Sequence, residues 1–203
     1  MLKGRHALVT GGGTGIGLAI ARALAGAGAE VTIAGRRSDV LRTAAAETPG
    51  LHPLAMDVTN EDSVVQGIAS AIGHRGPVTI CVANAGVAEG RALTRTDLAF
   101  WRRIMAINLD GAFLTIRECL PGMRTAGWGR VIAVASIAGL RGLKGAPAYT
   151  ASKHGMIGLI RGLSEDLIGS PVTANALCPA YVATDIVEQN MDSIAARAGI
   201  SRD

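Results

Sequence analysis

The chain has 203 residues, of which 49% are hydrophobic and 3% aromatic, and its formal net charge is +4. This length and apolar content suit one compact domain and leave little room for a second. Basic residues are scattered as singles and pairs, and rings on which bases could stack are scarce, so no nucleic-acid partner is predicted.

The cysteines and the apolar stretches bear on metal binding and on the cellular location of the protein. Cys81, Cys119 and Cys178 show no CxxC spacing, and two of them lie in strand-like apolar runs, so we expect buried, reduced thiols and no metal site. No uninterrupted apolar stretch reaches the length of a bilayer, which argues against a membrane partner. An odd cysteine count with no leader peptide favours a cytoplasmic location.

Short apolar runs alternate with helical patterns along the chain. The predicted strands are 6–10, 30–34, 51–56, 78–83, 130–135 and 172–178, and the predicted helices are 15–28, 38–47, 60–73, 96–106, 109–124 and 149–168. Strict alternation implies a parallel sheet with helices on both faces. We therefore predict an α/β, Rossmann-like doubly wound fold, with residues 1–203 forming a single dinucleotide-binding domain.

A glycine-rich turn, TGGGTGIG at residues 10–17, joins the first strand to the first helix. Glycines let the chain turn sharply and let backbone N–H groups meet a pyrophosphate, which the positive end of the helix dipole also favours. A flexible loop is the alternative, but the strand before and the helix after the turn favour a phosphate site. The predicted cofactor-binding residues here are Gly11, Gly13, Thr14, Gly15, Ile16 and Gly17.

The residues after the second strand bear on which dinucleotide this turn would bind. An acidic residue there would accept hydrogen bonds from the adenosine ribose of NAD, but Arg36 and Arg37 occupy the position. A guanidinium can pair bidentately with a 2′-phosphate, so NADP(H) is predicted, with Arg36 the principal contact. The alternative is that both arginines are solvated residues opening the next helix, and Asp39 keeps NAD possible.

Three polar residues late in the chain suggest proton transfer to a carbonyl. Tyr149 and Lys153 are four apart in a helical stretch, so they project from one face. A free phenol titrates near pH ~10, and a nearby ammonium together with a positive nicotinamide ring is expected to lower that pKa. Ser136 ends the strand VIAVAS, where its hydroxyl could stabilise a developing alkoxide, although it could also simply cap a turn.

The Gly-xxx-Gly-x-Gly spacing is one of several motifs that occur in order. The others are DV at 57–58, ANAG at 83–86, Asn108 in INLDGAF, Ser136, YTASK at 149–153 and CPAYVATD at 178–185. Taken together, the chain closely resembles the short-chain dehydrogenase/reductase family over nearly its whole length, and within it the 3-oxoacyl reductases. The resemblance implies hydride transfer between the pro-S position of a nicotinamide and a carbonyl or secondary alcohol.

The resemblance also implies roles for individual residues. Asp57 would bind the adenine amino group with Val58 beside the ring, and Lys153 would hold the nicotinamide ribose. Asn108 would complete a catalytic tetrad with Ser136, Tyr149 and Lys153 by fixing a water. The remaining cofactor contacts that it implies are Asn84, Ala85 and Gly86 beneath the cofactor and Pro179, Val182 and Thr184 near the carboxamide.

The end of the chain departs from the family pattern. Residues 180–203 are expected to begin the substrate lid, and only six strands, in the order 3-2-1-4-5-6, are predicted, with the family's seventh strand missing. Relatives suggest a homo-oligomer, a dimer or tetramer. The alternatives to an active reductase are an epimerase or dehydratase, whose turn has a different spacing, and a truncated, inactive cofactor-binding relative or regulator.

The substrate is the least readable part of the sequence. The crevice would be lined by mainly small and apolar residues, with Arg91, Arg141 and Lys144 available for an acidic group. A small-molecule carbonyl or alcohol is expected, and a 3-oxoacyl thioester fits that mixture.

Overall fold

A computed structural model describes residues 1–180 and 182. The strands are β1 (His6–Thr10), β2 (Glu30–Gly35), β3 (Leu51–Ala55), β4 (Val78–Ala83), β5 (Gly129–Val134) and β6 (Val172–Leu177). The α-helices are α1 (Gly15–Gly26), α2 (Ser38–Glu47), α3 (Glu61–Arg75), α4 (Leu98–Met105), α5 (Gly111–Thr125) and α6 (Pro147–Asp166). Short 3₁₀ turns cover Leu93–Arg95 and Ile137–Gly139.

All neighbouring strands pair in parallel, in the order β3-β2-β1-β4-β5-β6, which confirms the predicted doubly wound fold. Val9 of β1 pairs with Ile33 on one side and with Val82 on the other. The order of the strands along the chain reverses between β1 and β4. In such sheets a crevice opens beyond the carboxyl ends of the strands at that reversal, and ligands bind there.

The apolar core lies on both faces of the sheet. Leu8 packs on one face in a cluster with Met123 and Met156, while its neighbours Ala7 and Val9 pack on the other face with residues of α1 and α2. Strands covered on both faces read as continuous apolar runs, as β1 and β4 do. The sheet is thus a rigid platform for the loops at its carboxyl edge.

The three cysteines are free, and their burial differs. Cys81 and Cys119 are buried in the core, as predicted. Cys178 is only partly buried, because it follows the end of β6 instead of lying inside a strand.

Two helices predicted to be separate form one continuous run. A π-helical turn over Ala106–Asp110 joins α4 to α5, so the expected break at residues 107–108 is wrong. The physical reason is that Asn108 is fully buried and hydrogen-bonded to Val87, and the wider turn accommodates that contact without ending the helix.

Helix boundaries elsewhere follow capping chemistry. The Asn60 side chain accepts from the Ser63 amide and the Asp97 side chain from the Phe100 amide, so each caps a helix that begins at the next residue. Pro147 stands in the first turn of α6, where its missing N–H costs nothing, and this places Tyr149 early in that helix. Among the described residues, no helix is both long and apolar enough to cross a membrane.

Candidate active site

A cavity of about 610 Å³ opens at the carboxyl edge of the sheet. Ser136 lines it, as does every predicted cofactor-binding residue in the described part of the chain: Gly11, Gly13, Thr14, Gly15, Ile16, Gly17, Arg36, Arg37, Asp57, Val58, Asn84, Ala85, Gly86, Tyr149, Lys153, Pro179 and Val182. The predicted contact Thr184 and nearly all of the expected lid, 180–203, lie outside the described residues. Asn108 is buried behind the cavity wall.

The turn after β1 needs glycine for two different reasons. Gly11 has φ +63°, a conformation that side chains rarely adopt. A Cβ at Gly17 would collide with the Gly11 carbonyl oxygen and stand 2.5 Å from Nδ2 of Asn84. The first turn of α1 therefore lies directly against the ends of β1 and β4, and backbone N–H groups can face a ligand phosphate.

Thr10 fastens this turn to the neighbouring strand. Its buried Oγ1 accepts hydrogen bonds of 3.0 Å from the amides of both Asn84 and Ala85, and Asn84 Nδ2 donates to the Thr10 carbonyl at 2.9 Å. Sequence reasoning assigned Thr10 no role of its own. Its signal was a hydroxyl at the end of an otherwise apolar strand, immediately before the glycines.

Beyond the ends of β2 and β3, one carboxylate and two cations line the cavity. Asp57 Oδ1 accepts from the amide and hydroxyl of Thr59, and these bonds, with a smaller contribution from the nearby Arg36 guanidinium, lower the pKa of the carboxyl. Asp57 does not cap α3, since Asn60 does. Arg36 and Arg37 are exposed and line the cavity.

Asp39, the residue that kept NAD possible, is placed elsewhere. It lies in the first turn of α2 and lines a separate, smaller concavity with Thr43 and Glu47. It is not among the residues that line the main cavity.

Ser136 combines the two roles considered for it. Its Oγ accepts the Ala138 amide at 3.1 Å and so caps the 3₁₀ turn Ile137–Gly139. Because that bond uses a lone pair, the hydroxyl can still donate its proton, and the Tyr149 side chain is one hydrogen-bonding neighbour. A Cβ at Gly139 would stand 2.7 Å from the Lys153 carbonyl oxygen, so this turn packs closely on α6 and fixes Ser136 relative to that helix.

Lys153 is 4% exposed, and its Nζ donates to the Val134 carbonyl at 2.9 Å. Burial lowers the pKa of Lys153 to about 8, so the amine is still largely charged at pH 7. Its Nζ lies 6.0 Å from the centre of the Tyr149 ring.

The lowering of the Tyr149 pKa that the Lys153 ammonium is expected to cause is absent from this structure, while the lowering expected from a nicotinamide ring stays a prediction. Burial raises the pKa of Tyr149, and the hydrogen bond with the Ser136 side chain offsets that only in part. The physical reason is that the phenolate loses hydration in the cavity wall, while the Lys153 ammonium is directed at Val134. Tyr149 is therefore a protonated phenol at neutral pH.

Asn108 joins the loop after β4 to the helix that carries Tyr149. Its Oδ1 accepts the Val87 amide at 2.8 Å, and its Nδ2 donates to the Val87 carbonyl and to Ser152 Oγ at 3.0 and 3.1 Å. Ser152 Oγ in turn donates to the Tyr149 carbonyl at 2.7 Å. The side-chain amide thus holds protein groups. Sequence reasoning missed Ser152, for which the only clue was a hydroxyl on the buried face of α6.

Gly86 lies where these parts meet. A Cβ at Gly86 would stand 3.2 Å from Asn108 Oδ1 and 3.6 Å from Lys153 Nζ. Glycine thus lets the loop after β4 approach the buried lysine closely. Ser136, Tyr149, Lys153 and the glycine turn all line one cavity.

The chain is similar in sequence and in fold to known proteins. The family model described as "short chain dehydrogenase" matches residues 5–194. A D-beta-hydroxybutyrate dehydrogenase of Rhizobium meliloti is 38% identical, with 97% of this chain and 79% of the relative covered. A 2-dehydro-3-deoxy-L-rhamnonate dehydrogenase (NAD(+)) of Sphingomonas sp. is 35% identical, with 92% and 75% covered.

A solved structure of similar shape is that of a single-site variant of actinorhodin polyketide ketoreductase with NADPH. It superimposes with a TM-score of 0.94 at 31% identity, over 100% of this chain and 80% of the other. With the glycine turn, the strand order and the family match in agreement, the chain belongs to the short-chain dehydrogenase family and is an NAD(P)-dependent oxidoreductase.

Proposed function

We propose that this protein reduces a small-molecule ketone with NADPH, with Tyr149 as the proton donor. The observation that carries the proposal is convergence: Ser136, Tyr149 and Lys153 line the same cavity as the glycine turn and the two arginines. The reverse oxidation of a secondary alcohol uses the same groups. A 3-oxoacyl thioester is one candidate substrate.

The residues of the cavity fit a dinucleotide. The glycine turn offers backbone N–H groups at the start of α1 for the pyrophosphate, and a side chain at Gly17 would fill that space. Asp57 would bind the adenine amino group and Lys153 the nicotinamide ribose. Asn84, Ala85, Gly86, Pro179 and Val182 would form the floor and the carboxamide contacts. Bound there, the cofactor supplies or accepts a hydride.

The chain's own residues handle the proton. Ser136 donates its hydroxyl proton to the carbonyl oxygen and stabilises the negative charge that develops there. Tyr149, kept protonated by burial, gives its proton to that oxygen, which yields the alcohol and a phenolate. The phenolate then regains a proton from solvent, while Lys153, whose Nζ is held by the Val134 carbonyl, keeps its role toward the nicotinamide ribose. Asn108 positions Tyr149 through Ser152.

We propose NADP(H) over NAD(H). Arg36 and Arg37 line the adenosine end, and both are free of ion pairs with the described residues. An anionic 2′-phosphate would satisfy them, whereas Asp39, the carboxylate that could serve NAD at this point, faces the separate concavity. One relative carries NAD(+) in its name, so the contrast is worth measuring directly.

The test of cofactor preference compares kcat/KM for NADPH and NADH in the wild type and in Arg36→Ala. We expect NADPH to be preferred at least tenfold, and the variant to lose most of that preference while its NADH kinetics stay within twofold. A clear NADH preference in the wild type would refute the assignment. Asp39→Asn is the matched control and should leave the ratio unchanged.

The test of the activity itself combines turnover with binding. NADPH consumption is followed with a panel of ketones and 3-oxoacyl thioesters, and NADPH binding is measured on the same preparation by its fluorescence. Turnover of any of them supports the reductase. Binding with no turnover across the panel would favour the inactive cofactor-binding relative or regulator. We infer a cytoplasmic homo-oligomer, which size-exclusion chromatography with light scattering would check for the assembly.

A further inference from the structure

Some of the charged side chains that line the cavity are paired with another group of the protein, and others are not. Among the residues that the structure describes, six charged side chains line the cavity, those of Arg36, Arg37, Asp57, Glu89, Lys144 and Lys153. The arginines and Asp57 lie at the adenosine end, and Lys153 is buried beside Val134. Glu89 and Lys144 remain for the substrate end.

Glu89 is neutralised within the protein. The Arg103 guanidinium binds its carboxylate bidentately, with N–O distances of 2.8 and 2.6 Å, and lowers the pKa of Glu89. The pair lies on the loop after β4 and on α4, so it fastens the cavity wall to a helix. Glu89 therefore presents little net charge to a ligand.

Arg91, a sequence-based candidate for an acidic group, is also engaged. It pairs with Asp97 at 3.1 Å, and its guanidinium lies 4.1 Å from the centre of the Phe100 ring. Arg141, the second candidate, is exposed and does not line the cavity. Of the three cations, only Lys144 lines the cavity.

Lys144 lies five residues before Tyr149 and lines the cavity with Leu143, Ala146 and Tyr149. Its side chain is exposed and makes no hydrogen bond or ion pair with the part of the chain that the structure describes. We propose that Lys144 binds a carboxylate of the substrate, so that the preferred substrates are short oxo acids and hydroxy acids. The inference rests on the proposed reductase activity and adds the substrate class.

The chemistry of the walls supports a small anion. Leu143 and Ala146, which flank Lys144 along the chain, also line the cavity, and beside a partly apolar protein surface an ammonium attracts an anion more strongly than it would in bulk water. A lysine presents a point charge on a flexible stem, which suits a carboxylate whose distance from the reacting carbonyl varies among substrates. The phosphates of a thioester carrier would stand much farther from Tyr149 than a carboxylate would.

Three forms of one acyl group separate these cases. Acetoacetate carries the carboxylate, ethyl acetoacetate is its neutral ester, and acetoacetyl-CoA carries its negative charge at a distance. We compare kcat/KM for NADPH-dependent reduction of each by the wild type, Lys144→Met, Lys144→Arg and the charge-matched control Arg141→Met.

Lys144→Met should lower kcat/KM for acetoacetate about tenfold to a hundredfold, mainly through KM, and leave ethyl acetoacetate within twofold. Lys144→Arg should restore most of the loss, and Arg141→Met should change neither substrate. The acetoacetate rate of the wild type should also fall with salt, more steeply than that of Lys144→Met. A loss confined to acetoacetyl-CoA, equal losses for the acid and the ester, or no loss would each overturn the proposal.

A binding measurement separates this inference from the activity. Acetoacetate cannot react with NADP⁺, so calorimetry of acetoacetate against the protein, with and without NADP⁺, reports recognition without turnover. We expect the Kd to rise at least tenfold in Lys144→Met. The same Kd in both proteins, or no saturable binding to the wild type, would overturn the role of Lys144. An absence of turnover with this Kd difference intact would count only against the proposed reductase.

Discussion

Polar groups at the two edges of the sheet differ in how far hydrogen bonds within the protein satisfy them. At the amino edge, His6 is 3% exposed, with Nδ1 2.9 Å from the Gly76 carbonyl and Nε2 2.8 Å from Thr32 Oγ1. A carbonyl only accepts, so Nδ1 donates, and neutral His6 accepts the hydroxyl at Nε2. Nearby, the Trp128 ring lies under the guanidiniums of Arg5 and Arg130, 3.9 and 4.4 Å from its centre.

At the carboxyl edge, polar groups are held in place but keep capacity to spare. Ser136 is fixed by an amide that uses its oxygen, so its proton is still available. Lys153 is fixed by one carbonyl and has two further donors. His6 shows that a buried polar side chain whose hydrogen bonds are all made within the protein does not by itself indicate a functional site. A site is indicated by a group that is oriented and still unsatisfied toward a cavity.

Glycines differ between the edges in the same sense. Gly28, at the amino edge, has φ +95° and needs glycine for its backbone conformation, while a Cβ there would meet nothing closer than 3.5 Å. Gly17, at the carboxyl edge, needs glycine for space. Gly28 permits the backbone conformation of a turn, whereas Gly17 permits the close approach of two backbone segments beside the cavity.

Of the three variants that compare the two edges, removal of the Ser136 hydroxyl should have the largest effect. Ser136→Ala should lower kcat about 10²–10³-fold, the usual cost of one donor to a developing oxyanion, and leave NADPH affinity nearly unchanged. Steady-state kinetics and a fluorescence titration measure the two quantities. Ser136→Thr keeps the hydroxyl and should retain most of the activity. An unaltered kcat in Ser136→Ala would mean that Ser136 only caps its turn.

The second-largest effect is expected when a side chain is introduced at Gly17. Gly17→Ala places a methyl group against the Gly11 carbonyl and Asn84, which should lower the free energy of unfolding by about 3 kcal/mol and weaken NADPH binding. Chemical denaturation and cofactor titration check both. Gly162→Ala is the control: it lies in α6 with nothing within 4 Å and should gain about 0.5–1 kcal/mol. A stable, tightly binding Gly17→Ala protein would contradict the close packing.

The smallest effect concerns the amino edge and pH. Burial lowers the pKa of His6 below its usual 6.5, so the folded protein holds it neutral. The unfolded chain takes up the proton first as pH falls, so stability from His6 is full above about pH 6.5 and is lost below it. Between pH 7.5 and 5.5 the wild type should therefore lose more of its free energy of unfolding than His6→Gln does. Parallel pH dependences in urea denaturation would contradict this.

Much of this contrast could be predicted from the sequence. The alternation of apolar runs and helical patterns is a local signal that predicts a doubly wound parallel sheet, and the strand order follows from the resemblance to the short-chain dehydrogenase/reductase family. The glycine turn and the spacing of Tyr149 and Lys153 are also local. For that reason every predicted cofactor contact in the described part lines the cavity.

What escaped prediction depends on contacts between distant residues. The π turn at Asn108 exists because the side chain bonds Val87, 21 residues away, and no helical periodicity encodes that. The pKa of Tyr149 depends on burial, which spacing does not reveal. Arg91 forms an ion pair with Asp97 and packs on the Phe100 ring, so it is not available to a substrate. These contacts likewise depend on the tertiary structure.

The most direct test of the central claim is a paired measurement on Tyr149→Phe. That variant keeps the ring and the packing of the cavity wall and removes only the hydroxyl. We predict that it binds NADPH with an affinity within threefold of the wild type and consumes none of it with a ketone that the wild type reduces. Sustained NADPH consumption by Tyr149→Phe would contradict the assignment of Tyr149 as the proton donor.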